Sequence, residues 1–176
     1  ELATKIINSA HLVLKGLYTH CGHSYNIQES KAMKETTNQD HSMILGFLNS
    51  LSSHLESNNV NHDVSSILSS LSISVGSTPS MFLHDNALQI PNIELHPGNY
   101  VFYDRQQLWT GACSSEESIA AFVLARVIGH YNDEHRNAIM VDAGATALTK
   151  ETAPQGGMCS VLGRPDLECY RMSQEI

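Results

Sequence analysis

The sequence is poor in basic residues and has no long apolar run. Ten Lys and Arg residues stand against 18 Asp and Glu residues, which leaves a formal net charge of −8 over 176 residues. A nucleic-acid-binding surface needs basic residues to replace phosphate counterions, so that class of protein is not favoured. No apolar run approaches the length that crosses a bilayer, and the start shows no basic segment followed by an apolar one. We therefore expect neither a nucleic acid nor a membrane as a partner.

Cysteine is also scarce, and its spacing indicates no cross-linked framework. The four cysteines, at positions 21, 113, 159 and 169, form no CxxC pair. This pattern is typical of reduced thiols in a cytoplasmic protein and not of disulfides or a zinc ribbon. Histidine is more abundant, but His20 and His23 have no third ligand at a usual spacing. No metal site is predicted from the residues of this chain.

The first half of the chain alternates strand and helix patterns. Residues 11–18 form an apolar run typical of a buried parallel strand, and a polar loop follows at 19–26. Residues 28–58 have helical spacing of apolar side chains, and residues 71–75 read as a second strand. The predicted core stripe of the helix consists of Met43, Ile44, Phe47, Leu48, Leu51 and Leu55. In barrels of such βα units, chemistry takes place in the loops that follow the strands.

The turn after the second predicted strand, residues 76–82, has the features of an anion-binding turn. Gly76 permits an unusual backbone conformation and the close approach of a ligand. Thr78 is a suitable N-cap, and Pro79 suits the first position of a helix. The free N–H groups of that first turn would then bind a phosphate. An ordinary capped helix would need the same Thr-Pro pair, and the position after a strand favours the phosphate site.

The pattern changes after a predicted linker at residues 85–91. We place a domain boundary between residues 91 and 92, because the short apolar runs that follow, at 100–103, 121–128 and 138–141, predict strands of an antiparallel domain. A helix over 119–128 is the alternative for the second run. The run at 100–103 follows a strand and a His-Pro-Gly-Asn turn. On its own this stretch favours a hairpin with a buried aromatic face, and one wall of a small-molecule site is the alternative.

Four separated segments resemble the eukaryotic D-serine dehydratases, which belong to the D-threonine aldolase-like, fold-type-III pyridoxal-phosphate enzymes. These segments are residues 16–25, 76–80, 96–104 and 141–148, in the same order as in that family. The resemblance implies an α/β plus β architecture, with the C-terminal part of an alanine-racemase-type (β/α)8 barrel followed by a mostly antiparallel β domain. Both parts would be incomplete, the partial barrel at 1–91 and the partial β domain at 92–176.

The resemblance also implies roles for individual residues. Tyr100, or in its place Tyr103, would face the substrate as a catalytic residue. Gly76, Ser77 and Thr78 would hold the cofactor phosphate. The full set implied to bind the cofactor is His23, Ser24, Tyr25, Gly76, Ser77 and Thr78.

The activity implied is that of a pyridoxal-5'-phosphate-dependent D-serine ammonia-lyase, which converts D-serine to pyruvate and ammonia and is a homodimer when full length. The family needs a lysine that binds the cofactor covalently, and no lysine here has a matching context; Lys15 lies in the middle of a predicted strand. The family's zinc ligands are expected beyond the C-terminus. We therefore expect an internal fragment that is inactive alone. A D-threonine aldolase-type lyase and a non-catalytic truncated homologue remain alternatives.

Overall fold

The computed structural model describes residues 1–58, 63–83, 90–152 and 157–176. Most of the linker predicted at 85–91 lies outside the described residues. The α-helices within the described residues are α1 (Leu2–Ile7), α2 (Ser30–Ser57), α3 (Val64–Ser70), α4 (Arg105–Trp109) and α5 (Ala145–Leu148). The strands are β1 (Gly16–Tyr18), β2 (Ser72–Val75), β3 (Ile93–Leu95), β4 (Val127–Asp133) and β5 (Arg136–Val141).

The first three strands form a parallel sheet in the order β1-β2-β3. Gly16 pairs with Ser72, and a Cβ added to Gly16 would lie 2.3 Å from the Ser72 carbonyl oxygen. Only glycine therefore fits at this point of the β1–β2 contact. Ile73 of β2 pairs with Ile93 of β3, so the sheet continues past the predicted domain boundary at 91, which itself stays a prediction.

The core lies between the long helix α2 and strand β2. Ile44 of α2 packs in one buried cluster with four residues of the sheet region, namely Leu71, Ile73, Val75 and Ile90. A second cluster joins α2 to α1 and consists of Ala3, Leu51 and Leu55. The predicted helix and its stripe are thus confirmed at Ile44, Leu51 and Leu55.

The stripe was predicted too wide. Met43 and Phe47 are 61% and 48% exposed, because they lie on flanks of α2 that no described element covers. The predicted strand at 11–18 is likewise too long: only Gly16–Tyr18 pairs, and Leu12 and Val13 are exposed. The helix stripe and the strand are overestimated for the same reason. Apolar periodicity indicates which side of an element can be buried, but it does not indicate how much of that side another element covers.

The segment at 100–103 is a turn and not the predicted strand. The Tyr103 N–H donates to the Asn99 carbonyl oxygen at 2.9 Å, and Tyr103 has a φ of +52°. The next residue, Asp104, caps α4 by accepting from the Gln107 N–H at 2.8 Å. Cap and turn hydrogen bonds therefore override the strand propensity of the aromatic residues.

The C-terminal half contains an antiparallel hairpin of β4 and β5. Strand β4 begins at Val127, so only the end of the predicted strand at 121–128 forms, and the alternative helix over 119–128 does not form. Gly144 lies against the C-terminal segment, where an added Cβ would be 2.4 Å from the Ile176 nitrogen. Among the described residues, no helix combines the length and the apolar character that a bilayer crossing requires.

Candidate functional site

Three loops meet at the carboxyl ends of the parallel strands. The loop after β1 contacts the turn after β2, because the hydroxyl oxygens of Ser24 and Ser77 lie 2.8 Å apart. The turn after β2 in turn contacts the loop after β3, where the Asn99 N–H donates to the Thr78 hydroxyl oxygen at 3.0 Å. The loops that follow β1 and β2, which carry Tyr25 and Thr78, therefore converge, and the loop after β3 joins them.

The turn after β2 has a different local structure from the predicted helix start. Gly76 has a φ of +111°, a conformation that favours glycine, and the Ser77 N–H donates to the Ser80 hydroxyl at 3.1 Å. A short 3-10 turn at Met81–Leu83 follows, so Thr78 does not cap an α-helix among the described residues. Its hydroxyl accepts from Asn99 instead. Ser77 and Thr78 are fully buried, and their hydroxyls join the loops to one another.

A cavity of about 700 Å³ opens beside these loops. Its lining residues come from the loops after β1 and β3, from α4 and from the segment after α5: His20, Gly22, Tyr25, Asn99, Asp104, Gln106, Gln107, Lys150, Glu151 and Thr152. Of the predicted site residues, Tyr25 is in this lining. The volume is within the range usual for small-molecule sites.

Tyr25 is held as a neutral phenol. Burial raises its pKa, and the negative charge of Asp104 acts in the same direction. Hydrogen bonds with Thr78 and Gln107 partly oppose this shift. The hydroxyl of Tyr25 therefore keeps its proton at neutral pH and can donate a hydrogen bond into the cavity.

A histidine pair lies at the same end of the sheet. The His96 ring stacks on Tyr18 at 4.6 Å, and its Nδ1 is 2.8 Å from the Ser74 hydroxyl. The His20 Nδ1 donates to the Gly76 carbonyl at 3.1 Å. Burial and the neighbouring His20 both lower the pKa of His96, so its imidazole is neutral at physiological pH.

The structure does not bring all predicted site residues to the cavity. Tyr100 is half exposed and Tyr103 is part-buried in its turn, and neither lines the cavity. The side chain of His23 lies beside Cys21, with Nε2 4.0 Å from the sulfur. Burial raises the pKa of the Cys21 thiol to about 12, and a hydrogen bond with Asp40 adds to the shift.

Sequence reasoning missed several residues of the cavity. Asn99 belongs to the His-Pro-Gly-Asn turn, and the sequence pattern predicts the turn without a role for the Asn99 amide. Asp104 and Gln107 are linked through the cap of α4, and that Asp-x-x-Gln spacing is the signal that would have indicated a helix start. Lys150 carries no local signal, because only the tertiary structure brings it to the cavity that Tyr25 also lines.

The residues present fit pyridoxal phosphate in two respects. The cavity offers a half-buried phenol, Tyr25, for contact with a ring, and two basic side chains, His20 and Lys150, for an anion. Because Gly76 has no side chain, the backbone of the adjacent turn can adopt a positive φ and leave room for a ligand to approach. The helix dipole expected to assist phosphate binding is not supplied by the described residues, so the anion contact depends on these side chains and on the turn.

Comparisons with known proteins place the chain beside one group of enzymes. Residues 120–176 match the sequence model of a family described as "Putative serine dehydratase domain". A D-serine dehydratase of Dictyostelium discoideum is 32% identical over 161 residues, which cover 86% of this chain and 36% of that protein. A D-serine dehydratase of Schizosaccharomyces pombe is 28% identical over 190 residues, with 99% and 42% covered. The chain thus spans about two fifths of the length of these relatives.

A solved structure supports the fold in its coarse form. The crystal structure of an alanine racemase-like protein from Idiomarina loihiensis matches with a TM-score of 0.66 and 26% identity. The match covers 99% of this chain and 44% of that one. The predicted alanine-racemase-type fold is confirmed at this level, while closure into a barrel stays a prediction.

Proposed function

We propose that this chain, which belongs to the D-serine dehydratase family, forms part of the active site of a pyridoxal-phosphate-dependent D-serine ammonia-lyase. The reaction removes the α-proton of D-serine, expels the β-hydroxyl and releases pyruvate and ammonia. The observation that carries the proposal is the meeting of three loops at one end of the parallel sheet, joined by Ser24 with Ser77 and by Thr78 with Asn99.

In this proposal, the residues of this chain bind and orient the cofactor. Pyridoxal phosphate, when bound, supplies the electron sink for loss of the α-proton. Tyr25 contacts the ring and keeps its own proton, because burial raises its pKa. Gly76 lets the turn approach the phosphate, while Ser77 and Thr78 fix the turn in place. His20 and Lys150 provide positive charge to the cavity when they are protonated.

Tyr100, Tyr103 and His23 lie outside the cavity lining, so their proposed roles need a different approach of the ligand. None of the three lines the cavity of this chain, so a substrate contact for Tyr100 needs an approach from its exposed side. The zinc that would activate the leaving hydroxyl as a Lewis acid has no ligand proposed for it here. The complete enzyme is proposed to be a cytoplasmic homodimer, which sedimentation and cell fractionation would test.

The decisive experiment compares two products. The longest protein encoded by the gene is assayed for pyruvate from D-serine and for glycine from D-threonine, and the 176-residue chain is assayed beside it. We expect pyruvate from the longer protein and no product from the chain alone. Glycine without pyruvate would assign the protein to the aldolases. If neither product forms, and pyridoxal-phosphate fluorescence does not change when the cofactor is mixed with the protein, the protein is a non-catalytic homologue.

A further inference from the structure

A cluster of three potential metal ligands lies between the loop after β1 and helix α2. Cys21 and His23 belong to the loop and Asp40 belongs to the helix. One ligand atom from each residue can be chosen so that all three lie within 4.8 Å of one another. Cys21 and Asp40 are 0% and 2% exposed, whereas His23 is exposed and opens the cluster to solvent.

The carboxylate of Asp40 is incompletely satisfied. The Cys21 thiol hydrogen-bonds to it, but one thiol proton can serve only one of its two oxygens. The Oδ2 atom is buried and has no hydrogen-bond partner among the described residues. A buried carboxylate oxygen without a hydrogen-bond partner is costly, and a bound cation is one of the usual ways in which proteins remove that cost.

We propose that Cys21, His23 and Asp40 bind a single divalent transition-metal ion, and that the donor set favours Zn²⁺. Sulfur, imidazole nitrogen and carboxylate oxygen are the three ligand types that zinc takes in proteins. The usual zinc bond lengths of about 2.0–2.3 Å put tetrahedral ligand atoms roughly 3.3–3.6 Å apart. The ligand atoms must therefore come about 1 Å closer to one another than they are in the structure. Rotation of the exposed His23 side chain can provide this change. A water fills the fourth position, and the Cys21 thiol releases its proton to solvent when it binds.

The ion would join the loop after β1 to α2. That loop also carries Ser24 and Tyr25, so the metal would fix the position of the residues that meet the β2 turn. None of the three ligands lines the cavity. The site is thus separate from the zinc that the family resemblance implies beyond this chain, and it does not rest on the proposed function.

The test is a metal titration of the whole 176-residue chain after treatment with a chelator. We expect one Zn²⁺ per chain and, with Co²⁺, a near-ultraviolet thiolate-to-cobalt absorption band. Cys21→Ser should abolish the band. His23→Gln and Asp40→Asn should each weaken Zn²⁺ binding about tenfold or more. Because His23 is exposed, His23→Gln tests the site without threatening the fold.

The matched control is the other thiol pair. The thiols of Cys159 and Cys169 hydrogen-bond to each other, so they are the competing sulfur ligands. The double variant Cys159→Ser, Cys169→Ser should keep both the band and the affinity. Zn²⁺ should also raise the melting temperature of the wild-type chain more than that of His23→Gln. Loss of the band in the control, equal affinity in His23→Gln and wild type, or no stoichiometric Zn²⁺ would each overturn the proposal.

Discussion

The hydroxyl oxygens of Ser24 and Ser77 lie 2.8 Å apart in the interior, although 53 residues separate them in the chain. Ser77 also lies 3.0 Å from the hydroxyl of Ser80, so the pair continues into the turn after β2. These hydroxyls hold two loops together at the carboxyl edge of the sheet. The relative position of Tyr25 and Thr78 therefore depends on a small buried network of serines.

The serine network predicts unequal costs for its members. Ser77→Ala removes contacts with both Ser24 and Ser80 and should lower the free energy of unfolding by about 1–3 kcal/mol, more than Ser24→Ala does. The double variant should cost less than the sum of the two, because they share one hydrogen bond. Urea denaturation measures all three. Ser50→Ala, whose exposed hydroxyl bonds only to the Gly46 carbonyl, is the control and should change little. Additive costs would mean that Ser24 and Ser77 are not coupled.

Two glycines provide a matched pair for the β1–β2 contact. Gly16→Ala would place a Cβ 2.3 Å from the Ser72 carbonyl, so the strands must separate, at a cost of about 1–3 kcal/mol. Gly46 lies in the middle of α2, and a Cβ added there would have no neighbouring atom within 4 Å. Gly46→Ala should therefore stabilise the chain by about 0.5–1 kcal/mol. Thermal unfolding should show shifts of opposite sign. Equal melting temperatures would contradict the strand register.

His96 predicts a loss of stability in mild acid. Its folded pKa is lowered, first by burial and then by His20, so the unfolded chain binds more protons than the folded chain below about pH 6.5. The contribution of His96 to the free energy of unfolding is fully present above that pH and is lost as the pH drops toward the pKa of His96 in the folded chain. His96→Gln should reduce the slope of unfolding free energy between pH 7.5 and 5. A wild-type slope in His96→Gln would contradict the prediction.

Tyr25 predicts a late phenolate titration. Because burial raises its pKa above the ordinary value near 10, absorbance near 295 nm should show a component that titrates above that value. Stability linked to the neutral phenol is present below that pH and is lost as the pH rises through the folded pKa. Tyr25→Phe should remove the late component. Tyr170→Phe, at an exposed site, is the control and should leave the late component in place.

The same variant tests the cavity. Tyr25→Phe should weaken pyridoxal-phosphate binding by roughly fivefold, the equivalent of about 1 kcal/mol for one hydrogen bond. Fluorescence titration of the longest available protein measures the affinity, and Tyr170→Phe should bind as wild type does. Unchanged affinity in Tyr25→Phe would mean that the phenol does not contact the cofactor.

Local patterns predicted the longer elements well. The helix expected at 28–58 is α2, Ser30–Ser57, and the strand expected at 71–75 is β2, Ser72–Val75. Periodicity and turn residues are properties of neighbouring positions, so a single sequence contains this information. The aromatic run at 100–103 failed as a strand because Asn99 and Asp104 make turn and cap hydrogen bonds that propensity does not count.

The sequence by itself thus determined which segments become α2, β2 and the polar loops, and its motifs indicated the family. Only the tertiary structure decided that Asp40 meets Cys21, that Thr78 accepts from Asn99 and that Lys150 faces the cavity of Tyr25. The physical reason is that parallel pairing of β1, β2 and β3 brings their following loops to one edge, and the pairing register depends on contacts between segments that are distant along the chain.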